Sequence, residues 1–176
     1  MTQCEKNILR RLVGSLALIC LPWTVAEAAE ATQLGTFKNW SAHLLVEDKA
    51  KICYLHTVPY KSEGKYTKRG DTYVQVTHRT SSKTRNEVSV TAGYTYNKDN
   101  PPTLAIDGKI YLLFTQGDTA WADEKNPDDR VVAAMRAGRD MIVGGTSSRG
   151  TVTVDSYSLS GFTAAHNAIN KACGIR

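Results

Sequence analysis

Apolar residues recur at every second position through much of this chain, the mark of half-buried β-strands. In residues 36–46 the apolar side is Phe37, Trp40, Leu44 and Val46, and residues 51–58 (KICYLHTV) alternate around Cys53. Each stretch predicts a strand. Residues 72–78 (TYVQVTH) and 86–92 (NEVSVTA) carry Val74 and Val76, then Val88 and Val90, as matching apolar positions, so the two are expected to pair antiparallel. Residues 59–70 are polar, basic and glycine-containing, which reads as a long loop or irregular hairpin. Asp107-Gly108 separates the apolar runs 103–106 (TLAI) and 109–114 (KIYLLF). Asp-Gly so placed predicts a two-residue hairpin, because both residues tolerate positive φ. Residues 141–143 and 151–154 add strands around the turn-like GGTSSRG at 144–150.

The period changes twice. Asn126 is placed to cap a helix with Pro127 at its first position, Asp128 and Asp129 at the positive dipole end, and Val131, Val132 and Met135 as an apolar stripe before Gly138. A second helix is expected from residue 161 or 162 to 173, with Ser160 as its cap and Phe162, Ala165, Ile169 and Cys173 on one side. About eight strands and two helices without βαβ alternation predict a mainly β domain, α+β at the margin. The expected form is an antiparallel β-sandwich or barrel-like domain with two short helices, the second C-terminal. A length of 176 residues allows one domain with a sizeable core.

The N-terminal segment does not fit this pattern. Lys6, Arg10 and Arg11 precede an apolar stretch at 12–21, and Ala26-Glu27-Ala28 has the spacing of a cleavage site. Residues 1–28 are therefore expected to be a secretory signal and 29–176 the mature domain, with a start at Ala31 as the nearby alternative. Ala17, Leu18 and Ile19 before Cys20 lack the pattern of a lipid attachment site. No apolar run reaches the roughly 18 residues of a spanning helix, so no transmembrane span is expected in the mature protein. Cys4 and Cys20 leave with the signal, and Cys53 and Cys173 remain. An even count in an exported protein argues for one disulfide, a structural staple across 119 intervening residues, 54–172.

Charge is unevenly spread. The chain carries 22 basic and 17 acidic residues; without Lys6, Arg10, Arg11, Glu5 and Glu27 the balance is 19 against 15, or +4. Residues 61–85 alone hold +5, with Lys61, Lys65, Lys68, Arg69, Arg79, Lys83 and Arg85 against Glu63 and Asp71. Tyr60, Tyr66 and Tyr73 are interleaved with them. Such a window suits an anionic partner. For an exported protein that partner is an envelope lipid, lipopolysaccharide or a host-surface component, not nucleic acid. The alternative is a solvated loop face.

Enzyme signatures are missing: there is no G-x-S-x-G, P-loop, H-E-x-x-H or C-x-x-C. His43, His56, His78 and His166 are far apart in sequence and show no i, i+4 metal spacing. Ser147 or Ser148 with a histidine and Asp155 would make a triad, but the flanking glycines are equally explained by a turn. Asp128 and Asp129 read as helix-start residues. No catalytic residue, metal or cofactor is expected.

Asn39-Trp40, Cys53-Tyr54, Gly93-Tyr94, AIDGK (105–109), the tryptophan of TAWA (119–122), AMRAG (134–138), SSRGTVTVDSYSLSGFTAA (147–165) and Ala172-Cys173 together resemble the invasion-associated locus B family. RGTVTVDSYSLSGFTAA is the most specific stretch. The resemblance implies an exported β-rich protein of Gram-negative bacteria, with no established enzymatic activity and no cofactor. Many members carry a cysteine soon after the early tryptophan, where this chain reads Ser-Ala-His-Leu-Leu-Val. Only Cys53 and Cys173 carry over as a bridge. Within such a scaffold Arg149 and Asp155 are expected to pair, Gly150 and Gly161 to serve turns, and Trp40 and Trp121 to fill core space. The expected function is a non-enzymatic envelope or host-interaction protein, periplasmic or at the outer surface, contacting an anionic surface through 61–85. The alternative is a small envelope hydrolase or ligand-binding protein with an unrecognised cleft.

Overall fold

Alternation in the sequence becomes register in the sheet. In the computed structural model, which describes residues 30–123 and 127–175, β5 (Tyr73–Arg79) pairs antiparallel with β6 (Thr84–Thr91), Val74 facing Val90 and Val76 facing Val88. All four valines are buried. The expected signal at 1–28 and the expected cap Asn126 lie outside the described residues.

The first predicted strand is instead a hairpin. β1 (Thr32–Phe37) and β2 (Trp40–Glu47) are joined at Lys38 and Asn39, with Lys38 at φ 54°, and Phe37 is paired to Trp40. Alternation hid the turn because no glycine marks it. β3 (Ala50–Thr57) follows, and β4 (Lys61–Gly64) lies within the stretch read as a loop. Its sequence, KSEG, has no apolar position to announce a strand. β4 exists because β11 (Val152–Ser158) offers it an edge, with Val154 opposite Glu63. β7 (Thr103–Ile106) and β8 (Lys109–Gln116) meet at the expected Asp107-Gly108 turn, with φ of 46° and 85°. β9 (Thr119–Ala122) and β10 (Asp140–Thr146) complete eleven strands among the described residues, against the eight or so read from periodicity.

The strand order is β1-β2-β3-β5-β6-β9-β8-β7-β10-β11-β4 and every pairing is antiparallel. β4 closes one end of that order, yet only residues 58–60 separate it from β3, third from the other end. The sheet must therefore curl back on itself. Trp40 Nε1 bridges the two ends by donating to the Ser158 carbonyl at 3.0 Å. The barrel-like wrap encloses one core that draws on both ends of the order, with Trp40, Leu55, Val76, Leu104, Tyr111 and Tyr157 fully or almost fully buried.

Two helices cap this wrap. α1 (Asp128–Ala137) buries Val131, Val132 and Met135, and Pro127 occupies its N-cap, one position earlier than expected. α2 (Phe162–Cys173) lies over β1, β2 and β3, buries Phe162, Ala165 and Ile169, and sets Phe162 edge-on to Trp40 at 4.9 Å between centroids. Ser160 does not cap it: Gly161 is the N-cap at φ 97°, with no side-chain cap bond. A Cβ at 161 would collide with the backbone carbonyl of Phe37, so glycine is required where α2 starts against the β1–β2 turn. The disulfide joins Cys53 of β3 to Cys173 with Cα atoms 6.0 Å apart, pinning the terminal helix to an early strand. Trp121 is not in the core. It is half-buried on the outer face, stacked on exposed Phe114 at 5.7 Å.

Candidate functional site

The wrap divides the basic window into two groups. Lys65, Lys68 and Arg69 lie between β4 and β5, at the end of the sheet where β5 begins. Arg79, Lys83 and Arg85 surround the β5–β6 turn. The seven residues of β5, six steps of about 3.3 Å, set these groups about 20 Å apart. Lys61 forms an exposed ion pair with Glu63 at 3.1 Å, and Arg79 pairs with Glu87 at 3.2 Å. The seven positions do not make one patch.

Lys65, Lys68 and Arg69 instead join the β10–β11 turn, which contributes Ser148, Arg149 and Thr151, around a cleft of about 570 Å³. Tyr66 and Tyr94 also line it. The segment 65–70 is held in place at Gly70, whose N–H donates to the Gly93 carbonyl at 2.9 Å. Gly93 has φ 70°, and a Cβ there would strike the backbone of Gly70. Arg149 joins the cleft from outside the basic window, 64 positions beyond Arg85.

Arg69 turns inward from this group. Its Nη1 and Nη2 donate to the two carboxylate oxygens of Asp155 at 2.7 and 2.6 Å, and its Nε donates to the Ala92 carbonyl at 2.6 Å. The two side chains are 6% and 3% exposed, so Arg69 is part of the wall and not a free surface charge. Its guanidinium also lies against Tyr66 and Tyr94, 5.6 and 5.1 Å from the ring centroids. Burial works against the charge, but the Asp155 hydrogen bond and charge outweigh it and the Arg69 pKa is raised. Asp155 thus has Arg69 as its partner, correcting the expected Arg149–Asp155 pair. Arg149 is left exposed on the cleft rim.

Lys65, Lys68 and Arg149 make no salt bridge among the described residues, and the lining holds no carboxylate. An adjoining hollow of about 400 Å³ beyond Gly70 and Gly93 has the opposite character, with Asp71 and Asp118. The Ser147 hydroxyl accepts the Thr151 N–H at 3.0 Å and so closes the β10–β11 turn, while the Tyr94 and Thr153 hydroxyls share a 2.7 Å hydrogen bond. Burial raises the Tyr94 pKa. The lining residues include Ser147 and Ser148 but no histidine.

The four histidines, distant in sequence, form two pairs. His43 and His56 stack on β2 and β3, 5.1 Å between centroids. His78 and His166, both buried, belong to a partly buried ring of polar groups drawn from β5, β6, α1 and α2. His78 Nδ1 accepts the Asn86 N–H at 3.0 Å, so its Nε2–H faces Asn170 Oδ1 at 2.8 Å. His166 Nδ1 faces Arg136 Nη1 at 3.0 Å and Asn170 Nδ2 at 3.3 Å, so its Nε2–H donates to Asn86 Oδ1 at 2.8 Å. Asn86 Nδ2 in turn donates to Asp129 at 2.6 Å. Burial disfavours the charged form of both rings. Burial first, then His78 and Arg136, push His166 down to about 4 against the opposing pull of Asp129. Burial likewise lowers His78.

Asp128 opposes this titration. It accepts the Val88 N–H at 2.8 Å, but burial, with Glu87 and Asp129, pushes its carboxyl up to about 6. Below pH 6.5 the unfolded chain binds a proton at His166 that the folded chain refuses until about 4, so that term loses stability as pH falls through this window. Asp128 has the reverse sign, since the folded form takes its proton near 6 and the unfolded form near 3.8. Two variants are expected to separate them by urea unfolding at pH 7.5 and 5. His166→Gln should make acidification less unfavourable than in wild type by about 2 kcal/mol, and Asp128→Asn more unfavourable by about 1 kcal/mol. Equal pH responses in all three proteins would refute the assignment.

No curated protein and no solved structure matches the chain. The family model described as Invasion associated locus B (IalB) protein matches residues 40–170, from the first residue of β2 into the last turn of α2, and so includes the whole cleft. The chain belongs to the invasion associated locus B family.

Proposed function

We propose that this is an exported, non-enzymatic envelope or host-interaction protein of the invasion-associated type, which contacts an anionic component through the cleft end of its basic region. The observation that carries the reading is the set of cations Lys65, Lys68 and Arg149, unpaired among the described residues and drawn from two distant chain segments to one rim. The disulfide fits an oxidising compartment outside the cytoplasm. Periplasm or outer surface is the location proposed, reached through the leader read in residues 1–28. The partners proposed are envelope lipid, lipopolysaccharide or a host-surface component.

The test is binding to vesicles containing anionic phospholipid and to lipopolysaccharide, at low and physiological salt. The triple variant Lys65→Glu, Lys68→Glu, Arg149→Glu is expected to lose at least tenfold in affinity. Lys83→Glu with Arg85→Glu, at the far end of β5 and β6, should bind as wild type does. Attraction at the rim should also weaken as salt rises. Equal losses in both variants would point to net charge alone and reject the cleft as the contact. The concavity favours ligand binding as the second reading, since a flat anionic surface has no need of a hollow.

A further inference from the structure

We infer that the cleft is a carbohydrate-binding site for a short acidic oligosaccharide, an inference that rests on the anionic-contact reading of the same residues. Eight of its fourteen lining residues carry a hydroxyl group, and none is valine, leucine, isoleucine or phenylalanine. Such a hollow offers an acyl chain no branched aliphatic or phenyl side chain. It matches a ligand that is itself covered in hydroxyl groups, whose many hydrogen bonds must be replaced when water leaves.

The charges then select among sugars. With Lys65, Lys68 and Arg149 unpaired among the described residues and no carboxylate in the lining, a neutral sugar would leave the positive rim uncompensated. A carboxylate, sulfate or phosphate substituent would be met by lysine as a point charge and by Arg149 through a two-pronged contact. Tyr66 supplies the remaining element. It is 39% exposed, lines the cleft and has the Arg69 guanidinium 5.6 Å from its ring centroid, a fixed aromatic surface for the C–H side of a sugar ring. The cleft volume, about 570 Å³, lies within the range of small-ligand sites.

The walls are set before any ligand arrives. The Arg69–Asp155 pair ties the first lining segment to β11, the Gly70–Gly93 hydrogen bond ties it to the residues that follow β6, and the Ser147–Thr151 bond closes the β10–β11 turn. A preset wall lowers the ordering cost of binding. The same Arg69–Asp155 contact explains why a buried ion pair is placed beneath a surface cleft, since it neutralises one cation of the window and leaves the others to the ligand.

The experiment is calorimetric titration of the disulfide-bonded protein with four probes. These are a uronic acid hexasaccharide, a sulfated hexasaccharide, neutral maltohexaose and inorganic sulfate. At least one acidic hexasaccharide is expected to bind tenfold or more tighter than both maltohexaose and sulfate. The preferred one distinguishes a carboxylate-bearing polysaccharide from a sulfated glycan as the source. Tyr66→Ala and Arg149→Gln should each weaken that binding at least fivefold, and Lys83→Glu should not. Acidic hexasaccharides that bind no better than sulfate, or that are indifferent to Tyr66→Ala, would overturn the carbohydrate inference. In that event a charge-dependent loss of vesicle binding would leave the broader anionic-contact reading standing. Failure to bind hexasaccharides, vesicles and lipopolysaccharide alike would end both.

Discussion

Asp155→Ala is expected to lower the unfolding free energy by about 3 to 5 kcal/mol, the cost of leaving a buried charge without its partner. Arg69 would then stand 6% exposed beside Tyr94 with no counter-charge, and its Nε contact to Ala92 cannot replace the two bonds lost to Asp155. The substitution acts at the meeting of β11 with the segment that leads into β5, so the damage reaches the cleft wall. Urea unfolding at pH 7 measures the loss. The double variant Arg69→Met, Asp155→Leu removes both charges and is expected to recover more than half of it, because desolvation then costs nothing. A loss below about 1 kcal/mol in the single variant would show that water reaches the pair and that it does not organise the cleft.

Replacing both Cys53 and Cys173 by serine is expected to cost about 2 to 5 kcal/mol, chiefly through greater freedom of the unfolded chain. The bridge spans a sequence separation of 120, so reduction releases nearly the whole described fold from its constraint. Packing limits the damage in the folded state: Phe162, Ala165 and Ile169 keep α2 on the sheet, and Phe162 retains its contact with Trp40. The variant should therefore fold, with the same secondary structure by circular dichroism and a lower urea midpoint. A midpoint within error of wild type would mean that the apolar side of α2 already supplies all the order the bridge imposes. That result would also remove the staple as a reason for export to an oxidising compartment.

Features with short-range causes could be read from the chain. The hairpin at Asp107-Gly108 follows from two residues that accept positive φ, and the register of β5 and β6 follows from valines spaced by two. The acidic start of α1 and the apolar stripe of α2 were equally local. Errors arose where no local marker exists. β4 is a strand because β11 presents unpaired backbone groups to it, and the turn at Lys38 and Asn39 lacks the glycine that usually signals one. Trp121 has the composition of a core residue but faces outward, since a period of two shows that sides alternate without saying which is inside.

The candidate site was legible in its chemistry and not in its membership. Counting charges located an excess in 61–85, and four of its seven cations, Lys61, Arg79, Lys83 and Arg85, proved to lie outside the cleft. Arg69 was consumed by Asp155, Lys61 and Arg79 by glutamates, and Arg149 joined from outside the window. A β-rich domain with one disulfide and a C-terminal helix was written in periodicity, turn residues and cysteine number, all properties of short stretches or simple counts. Which cations remain free, which histidines meet and where a cleft opens depended on the sheet curling until β2 meets β11. Ion pairing and burial act between residues near in space, and in a wrapped antiparallel sheet such neighbours lie up to a hundred or more positions apart, as Trp40 and Ser158 do.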